Sequence, residues 1–284
     1  MNLPSPMSKE PLSQWQRLLK NVGTWEGSFT QLSAQGQALS DTPTEVELSP
    51  RDNNQAMHQE VRRYPPGQDP QIQVLDYRSL NRATLFFENG AFSQGSMQWG
   101  PFSSFGAELG LMAGDRRLRL VQLFGKDQSL SSLTLIRERL KGTQAPERPA
   151  LEVSDLLGTW EGEATTQYAD LRPEQSATSK LTVEQLSPSE IQQTLTLAPG
   201  VPPIVSTGTI SDSQILFEGD SQSVQVLLLP DGASSTCPVA IAPGKPLFLE
   251  VGWLLDSSTR QRLIRSYDAS GAWVSLTLVT EQKR

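Results

Sequence analysis

Two residue types that carry much of protein chemistry are almost missing from these 284 residues: there is one cysteine, Cys237, and one histidine, His58. A lone cysteine excludes an internal disulfide framework, and with no histidine near it in sequence it reads as a passive loop thiol rather than a nucleophile. A lone histidine confines any Ser-His-Asp arrangement to the first half, where no Gly-x-Ser-x-Gly elbow accompanies it, and leaves too few ligands for a metal cluster. His58 shares a strand face with Ala56 and Glu60 and is expected at a surface or rim. Gly90 and Gly95 fit turns and bulges rather than a phosphate cradle. No catalytic residue, metal or cofactor is therefore expected. Long apolar runs are absent as well: the densest, Val224 to Leu229, has strand length, against the roughly 18 residues of a membrane span. The opening Met-Asn-Leu-Pro-Ser-Pro-Met-Ser-Lys lacks the apolar core of a signal peptide, which predicts a soluble protein in a cytoplasmic compartment.

Charge of the basic sign is also scarce. A net charge of -7 disfavours a general nucleic-acid binder, which needs a basic face to neutralise phosphates. The deficit is uneven, with 15 basic against 14 acidic residues over 1–141 and 9 against 17 over 142–284. Drifted surface charge explains this most simply; the sharper reading is that only the first half handles an anion. With 37% apolar residues, 21 Gly and 20 Pro, the chain reads as globular, rich in turns and poor in long helices. Its length suits two domains on the prior of about 150 residues each.

What is present is a repeat. Gly23-Thr24-Trp25-Glu26-Gly27 returns as Gly158-Thr159-Trp160-Glu161-Gly162, and each copy opens an alternating run. Ahead of the first, Leu12, Trp15, Leu18, Leu19 and Val22 recur at helical spacing, predicting a short amphipathic helix over Pro11 to Asn21 after a loose lead of ten residues. Val153, Leu156 and Leu157 precede the second copy in the same way. Period-two runs separated by turn residues predict strands near 24–32, 43–48, 55–64, 71–77, 83–88, 91–98, 105–113, 117–124 and 130–139. The second half reads as strands near 159–168, 177–186, 190–197, 204–210, 214–218, 223–229, 246–255, 260–267 and 272–281. Proline-bearing residues 141–152 form a linker between units at 11–140 and 153–284.

The ends of the copies align without gaps. Arg119 to Phe124 matches Arg262 to Tyr267, and Leu133 to Glu138 matches Leu276 to Glu281, both at a spacing of 143; Glu108 to Leu111 matches Glu250 to Trp253 at 142. The opening copies lie only 135 apart, so the second unit holds extra residues, expected in a longer hairpin or mouth-covering loop at Leu229 to Pro246. Many short sequential strands predict an all-β chain: two tandem antiparallel barrels, each behind a short helix, with a two-sheet sandwich as the competing all-β architecture.

Gly-x-Trp on the first strand after a helix resembles the signature of the lipocalins and wider calycins, in which the Trp closes one barrel end beneath an Arg or Lys from a late strand. Leu85 to Gly95, Phe105 to Gly110 and Asp115 to Val121 resemble a cyanobacterial and plastid family of uncharacterised proteins with duplicated calycin-like domains. The resemblance covers most of the chain and implies lipocalin-like barrels. At the level of fold it also implies a relation to the S-type and T-type phycobiliprotein lyases, which hold an open-chain tetrapyrrole, although their own motif has no residue-by-residue match here.

Within such barrels Trp25 and Trp160 are expected as structural floor residues. Glu108 with Arg119, and Glu250 with Arg262, lie on neighbouring strands; each pair either closes a barrel end as an ion pair or holds a polar ligand head. Arg62, Arg63 and Tyr64 end a strand whose counterpart, Leu195-Thr196-Leu197, is uncharged. With Arg78, Arg82, Arg116 and Arg117 they give the first barrel cations for a carboxylate, or else a solvated rim. Phe86, Phe87, Phe92, Trp99, Phe102 and Phe105 read as core and barrel-mouth packing that would also stack a flat ligand. The leading expectation is a non-enzymatic binder of a small apolar or amphipathic anion, a tetrapyrrole or lipid, in the first barrel, serving as a carrier or assembly factor with a photosynthetic protein as a conceivable partner. Its rivals are a bilin lyase or isomerase with Glu108 as acid and base, and an interaction scaffold with filled barrels.

Overall fold

The computed structural model describes residues 11–196 and 201–284; the ten-residue lead and Leu197 lie outside them. Helix α1 (Gln14–Leu18) starts where a capping box forms, the Ser13 hydroxyl accepting from the Gln16 amide and the Gln16 side chain accepting from the Ser13 amide. A single 3-10 turn over Leu19–Asn21 then delivers the chain to the first strand.

The first sheet runs through β1 (Gly23–Leu32), β2 (Ala38–Arg51), β3 (Ala56–Arg63), β4 (Gln71–Tyr77), β5 (Thr84–Phe86), β6 (Phe92–Gly95), β7 (Phe105–Ala113), β8 (Arg116–Phe124) and β9 (Leu130–Leu140). A second short helix, α2 (Val153–Leu156), opens the other unit. There follow β10 (Gly158–Tyr168), β11 (Gln175–Ser187), β12 (Glu190–Thr196), β13 (Ile204–Ser211), β14 (Gln214–Phe217), β15 (Val224–Leu228), β16 (Ala233–Pro238), β17 (Leu247–Leu254), β18 (Thr259–Tyr267) and β19 (Trp273–Lys283). All pairings between neighbours are antiparallel and nearly all follow chain order, as a meander of short strands dictates.

The two units close differently. Strands β10 to β19 form a closed ten-stranded barrel, whereas the first sheet, in the order β4-β3-β2-β1-β9-β8-β7-β6-β5, curls into a half-barrel that stays open between β4 and β5. The strand registers locate the cause. Gln73 pairs with Val61 as Ile204 pairs with Leu195, and Leu85 pairs with Ser93 as Leu227 pairs with Ser235. Gln73 to Leu85 is a step of 12 positions and Ile204 to Leu227 one of 23, so the second unit is eleven residues longer here, and β14 lies within that stretch. The expectation that the extra residues form a loop at Leu229 to Pro246 is thereby corrected: that segment contains β16, the counterpart of β6. Cys237, expected on a loop, is on β16 and fully buried.

The units stand back to back. Alternate residues of β7, β8 and β9, among them Leu109, Leu111, Leu120 and Leu135, turn away from the half-barrel and share one apolar core with Leu249, Val251, Leu263 and Tyr267 on the outer face of the closed barrel. Main-chain bonds fasten the seam: Trp99 N–H to Gly271 O at 2.8 Å, Trp273 N–H to Met97 O at 2.8 Å, and Leu130 N–H to Val239 O at 3.0 Å. Arg116 and Asp231 make a buried ion pair across it. The two units thus bury this face against each other in one shared core.

Candidate functional site

At the floor of each unit the repeated pentapeptide does the same work. The Trp25 indole N–H donates to Asn21 O at 2.9 Å and the Trp160 indole N–H to Leu156 O at 2.9 Å, so each ring is pinned to the turn four residues before it. Gly27 lies opposite Glu138, and Gly162 opposite Glu281. A Cβ at Gly27 would stand 1.8 Å from Arg137 O, and one at Gly162 1.9 Å from Thr280 O, so the final strand passes too close for any side chain. That approach sets the glutamate of the last strand directly opposite the glycine, two residues along from the tryptophan.

Each glutamate receives two arginines. In the half-barrel Arg117 Nε donates to Glu138 Oε2 at 2.7 Å, while Arg119 donates through Nε at 3.0 Å and Nη2 at 2.8 Å. In the closed barrel Arg260 donates to Glu281 through Nε at 2.9 Å and Nη2 at 2.7 Å, and Arg262 through Nε at 3.2 Å and Nη2 at 2.8 Å. Arg117 lies over Trp25 at 4.5 Å from the ring centre, and Arg260 over Trp160 at 4.4 Å. Planar, always charged guanidinium suits this site because it can fork to a carboxylate and stack on an indole at once. Burial alone would raise the pKa of Glu138, yet Arg117 and Arg119 hold it down at about 2. Glu281 is lowered likewise, its two arginines outweighing its burial.

One layer further in, the copies diverge. Arg119 Nη1 donates to Glu108 Oε1 at 2.6 Å, and Gln94 donates to the other oxygen at 2.8 Å. The equivalent contact between Arg262 Nη1 and Glu250 Oε2 is stretched to 3.3 Å. Burial pushes the Glu250 carboxyl above its ordinary pKa, against the pull of Arg262 and Arg260 and with the help of the Glu281 charge. Glu250, Arg260 and Arg262 also line a cavity of about 800 Å³ inside the closed barrel. Its wall is mostly apolar, with Leu181, Ile191, Leu195, Ile215, Phe217 and Val226 beside polar Gln193 and Thr207, and α2 contributes Leu156 beneath it. Such a volume, largely apolar along its wall, with Glu250, Arg260 and Arg262 at the floor and Glu218 beyond the end of β14, lies in the range of small-molecule sites. The half-barrel floor is instead packed by Leu18 of α1 with Trp25, Met57, Phe86 and Phe92.

The structure therefore brings Glu108 to Arg119 and Glu250 to Arg262, as their spacing suggests, and places Trp25 and Trp160 at the floors. It separates the Arg62-Arg63-Tyr64 group. Arg62 faces outward into Glu45, Glu47 and Glu60, Tyr64 is exposed, and Arg63 turns to the concave side, its guanidinium 5.3 Å above the Phe29 ring. The sequence favours the first unit as ligand holder because of its arginines; the large barrel cavity is in the second. Arg78 meets Asp52 at the surface, and Arg116 and Arg117 are buried in the seam and the floor rather than at a rim. His58 touches Asp76 on the outside at 2.8 Å. Cys237 is not a reactive thiol: burial pushes its pKa up to about 12 despite hydrogen bonds from Gln225 and Ser235. Among the described residues no group of three or more His, Cys, Asp or Glu is placed to hold a metal ion, and no helix is long and apolar enough to cross a membrane. Glu138, Glu281 and Arg260 are the site residues that sequence reasoning passes over, although Glu138 and Glu281 end segments that repeat at a spacing of 143 and Arg260 stands 143 residues after Arg117.

Comparison with known families and structures gives a consistent frame. Residues 12–143 match the N-terminal domain of a family of unknown function, DUF3598, and residues 147–284 match the C-terminal domain described as "Biogenesis factor required for ATP synthase 1". A crystal structure of a DUF3598 protein of unknown function from Nostoc punctiforme is 47% identical and covers 96% of this chain and 100% of its own, with a TM-score of 0.90. The S-type phycobiliprotein lyase CPES from Guillardia theta is 11% identical over 46% of this chain and 89% of its own, with a TM-score of 0.39, too loose a likeness to build on. No curated protein matches the chain.

Proposed function

This chain belongs to the DUF3598 family, and we propose that its closed second barrel binds one small amphipathic molecule, an apolar body with an anionic or strongly polar head, as a non-enzymatic carrier or assembly factor. The observation that carries this reading is the hollow interior. Small barrels are either filled by side chains or left open for a guest, and here a largely apolar wall surrounds a cavity of about 800 Å³, open to solvent, above Arg262 and Glu250. The apolar body would lie along Ile191, Ile215 and Val226. The head would meet Arg262 at Nη1, which reaches Glu250 only at 3.3 Å while Nε and Nη2 hold Glu281. Tetrapyrroles with propionates and long-chain lipids both have this chemistry. Protein purified from its own host, extracted with organic solvent and analysed by mass spectrometry, is expected to yield one such compound, and Val226→Trp to yield none. Equal recovery from both proteins would remove the cavity as the binding place.

A second reading concerns what the carrier serves. The match of residues 147–284 to the C-terminal domain of an ATP synthase biogenesis factor favours a role in assembling that enzyme. Tagged protein recovered from host extract would then retain ATP synthase subunits; a clean protein lacking all of them would remove this reading and leave the ligand site untouched.

A further inference from the structure

Strand β14 pairs with β13 on one side and β15 on the other, and so completes the second barrel. The matching place in the first unit, between β4 and β5, holds no strand of the described chain. Only its floor is bridged. Trp15 of α1 packs edge-on against Tyr77 with ring centres 6.1 Å apart, and the Gln14 side chain donates to Phe86 O at 3.2 Å and accepts from Phe86 N–H at 2.6 Å. Beyond that plug, β4 presents an open edge. It is seven residues long and carries neither proline nor lysine, the usual means of blunting an edge. Ile72 and Val74 on one face, and Leu75 on the other, are 60%, 49% and 43% exposed.

Arginines surround the gap, of which Arg78 is shared with Asp52 at the surface. Arg78 and Arg82 lie in the segment between β4 and β5 and are exposed, and Arg63 reaches the concave face with no carboxylate partner among the described residues. Asp76, the acidic residue of β4, points to the outer face and is engaged by His58.

We propose that this gap is a strand-addition site for an extended, acidic segment of a partner protein, which completes the first barrel as β14 completes the second. Main-chain hydrogen bonds to the β4 edge hold the segment, alternate apolar side chains enter the concave face, and acidic flanks meet Arg78 and Arg82. The chain itself shows what such a segment looks like: β14 places Ile215 and Phe217 inward and is flanked by Asp212, Glu218 and Asp220.

The probe is therefore a labelled synthetic peptide of residues 211–220, Ser-Asp-Ser-Gln-Ile-Leu-Phe-Glu-Gly-Asp, titrated into the full chain. Saturable binding is expected, with new hydrogen-exchange protection at residues 71–77. Affinity is expected to fall at least tenfold when Leu216 of the peptide is N-methylated, and by a similar factor in the Arg78→Glu, Arg82→Glu double variant, both positions being exposed and outside the core. The cavity-blocking Val226→Trp variant is expected to bind the peptide normally, which separates this site from the ligand site. Absence of binding, equal binding of the methylated peptide, protection confined to residues 204–228, or a concentration-dependent dimer protected at residues 71–77 would each overturn the proposal; the last would seat a second copy of the chain in the gap.

Discussion

Gln122 and Arg265 occupy equivalent positions 143 residues apart, and each crosses the seam to a serine of the other barrel: Gln122 Nε2 donates to Ser235 Oγ at 2.8 Å, and Arg265 Nη1 to Ser93 Oγ at 3.4 Å. Ser93 and Ser235 are themselves equivalent, so the interface is self-complementary in the manner of a two-fold dimer. Arg265 is fully buried and has no carboxylate partner among the described residues. It is held by Tyr267 Oη at 2.8 Å, by Ala83 O and Ser96 O, and by the Trp273 ring at 3.6 Å. Arg265→Ala leaves those acceptors and a void, and is expected to cost about 3 kcal/mol; Gln122→Ala is expected to cost about 1 kcal/mol. Denaturant titrations followed by fluorescence and circular dichroism should both show one transition, since the barrels share a core.

Acid stability is expected to depend on the last strand of each barrel. The folded pKa of Glu138 is about 2 against an ordinary 4.5, so its charge stabilises the fold fully above about pH 4.5 and ceases to do so as the pH falls through 2. A depression of that size corresponds to roughly 3 kcal/mol at neutral pH. Glu138→Gln should lower stability by about that amount at pH 7 and flatten the decline between pH 4.5 and 2. Glu281→Gln should act in the same direction. Urea midpoints measured across that pH range supply the check.

Glu250 should behave in the opposite sense. Its folded pKa is raised, so the folded state takes up a proton more readily than the unfolded chain, and stability declines as the pH rises from the ordinary carboxyl value through the folded one. Glu250→Gln is expected to leave stability at pH 7 unchanged or higher and to remove that decline, in contrast to Glu138→Gln. The same titration series decides between the two signs.

Gly27→Ala and Gly162→Ala are expected to be among the most damaging single changes in the chain. A methyl group at either position meets the carbonyl oxygen of the adjoining strand inside 2 Å, so β1 or β10 must separate from the final strand. A loss of at least about 3 kcal/mol, or failure to fold, should appear in thermal melts. An alanine tolerated at either place would contradict the close approach that positions Glu138 and Glu281.

Much of this was readable from residues alone. Alternation gives nearly every strand because most have one dry and one wet face, and the Gly-Thr-Trp-Glu-Gly repeat gives two units with matching floors. Strand β16 escapes because both of its faces are buried: Ser234 lines the cavity, Ser235 and Cys237 face the seam, and small polar residues on both sides erase the period. Glu138 and Glu281 escape for a related reason, since a charged residue near the end of an amphipathic strand looks solvated until its partners are known. Which barrel is hollow depends on one added strand, β14, whose role emerges only from pairing, and the arginines that point to the first unit prove to be spread over the outer face, the seam and the floor.

The hollow second barrel is tested most directly by titrating a fluorescent long-chain carboxylate into the full chain and into two variants, Val226→Trp in the cavity wall of the closed barrel and Val121→Trp on the concave side of the half-barrel. One site per chain is expected, weakened at least tenfold by Val226→Trp and unaltered by Val121→Trp, with the single unfolding transition preserved in both. Undiminished binding to Val226→Trp, or no binding to the unaltered chain, would contradict the assignment.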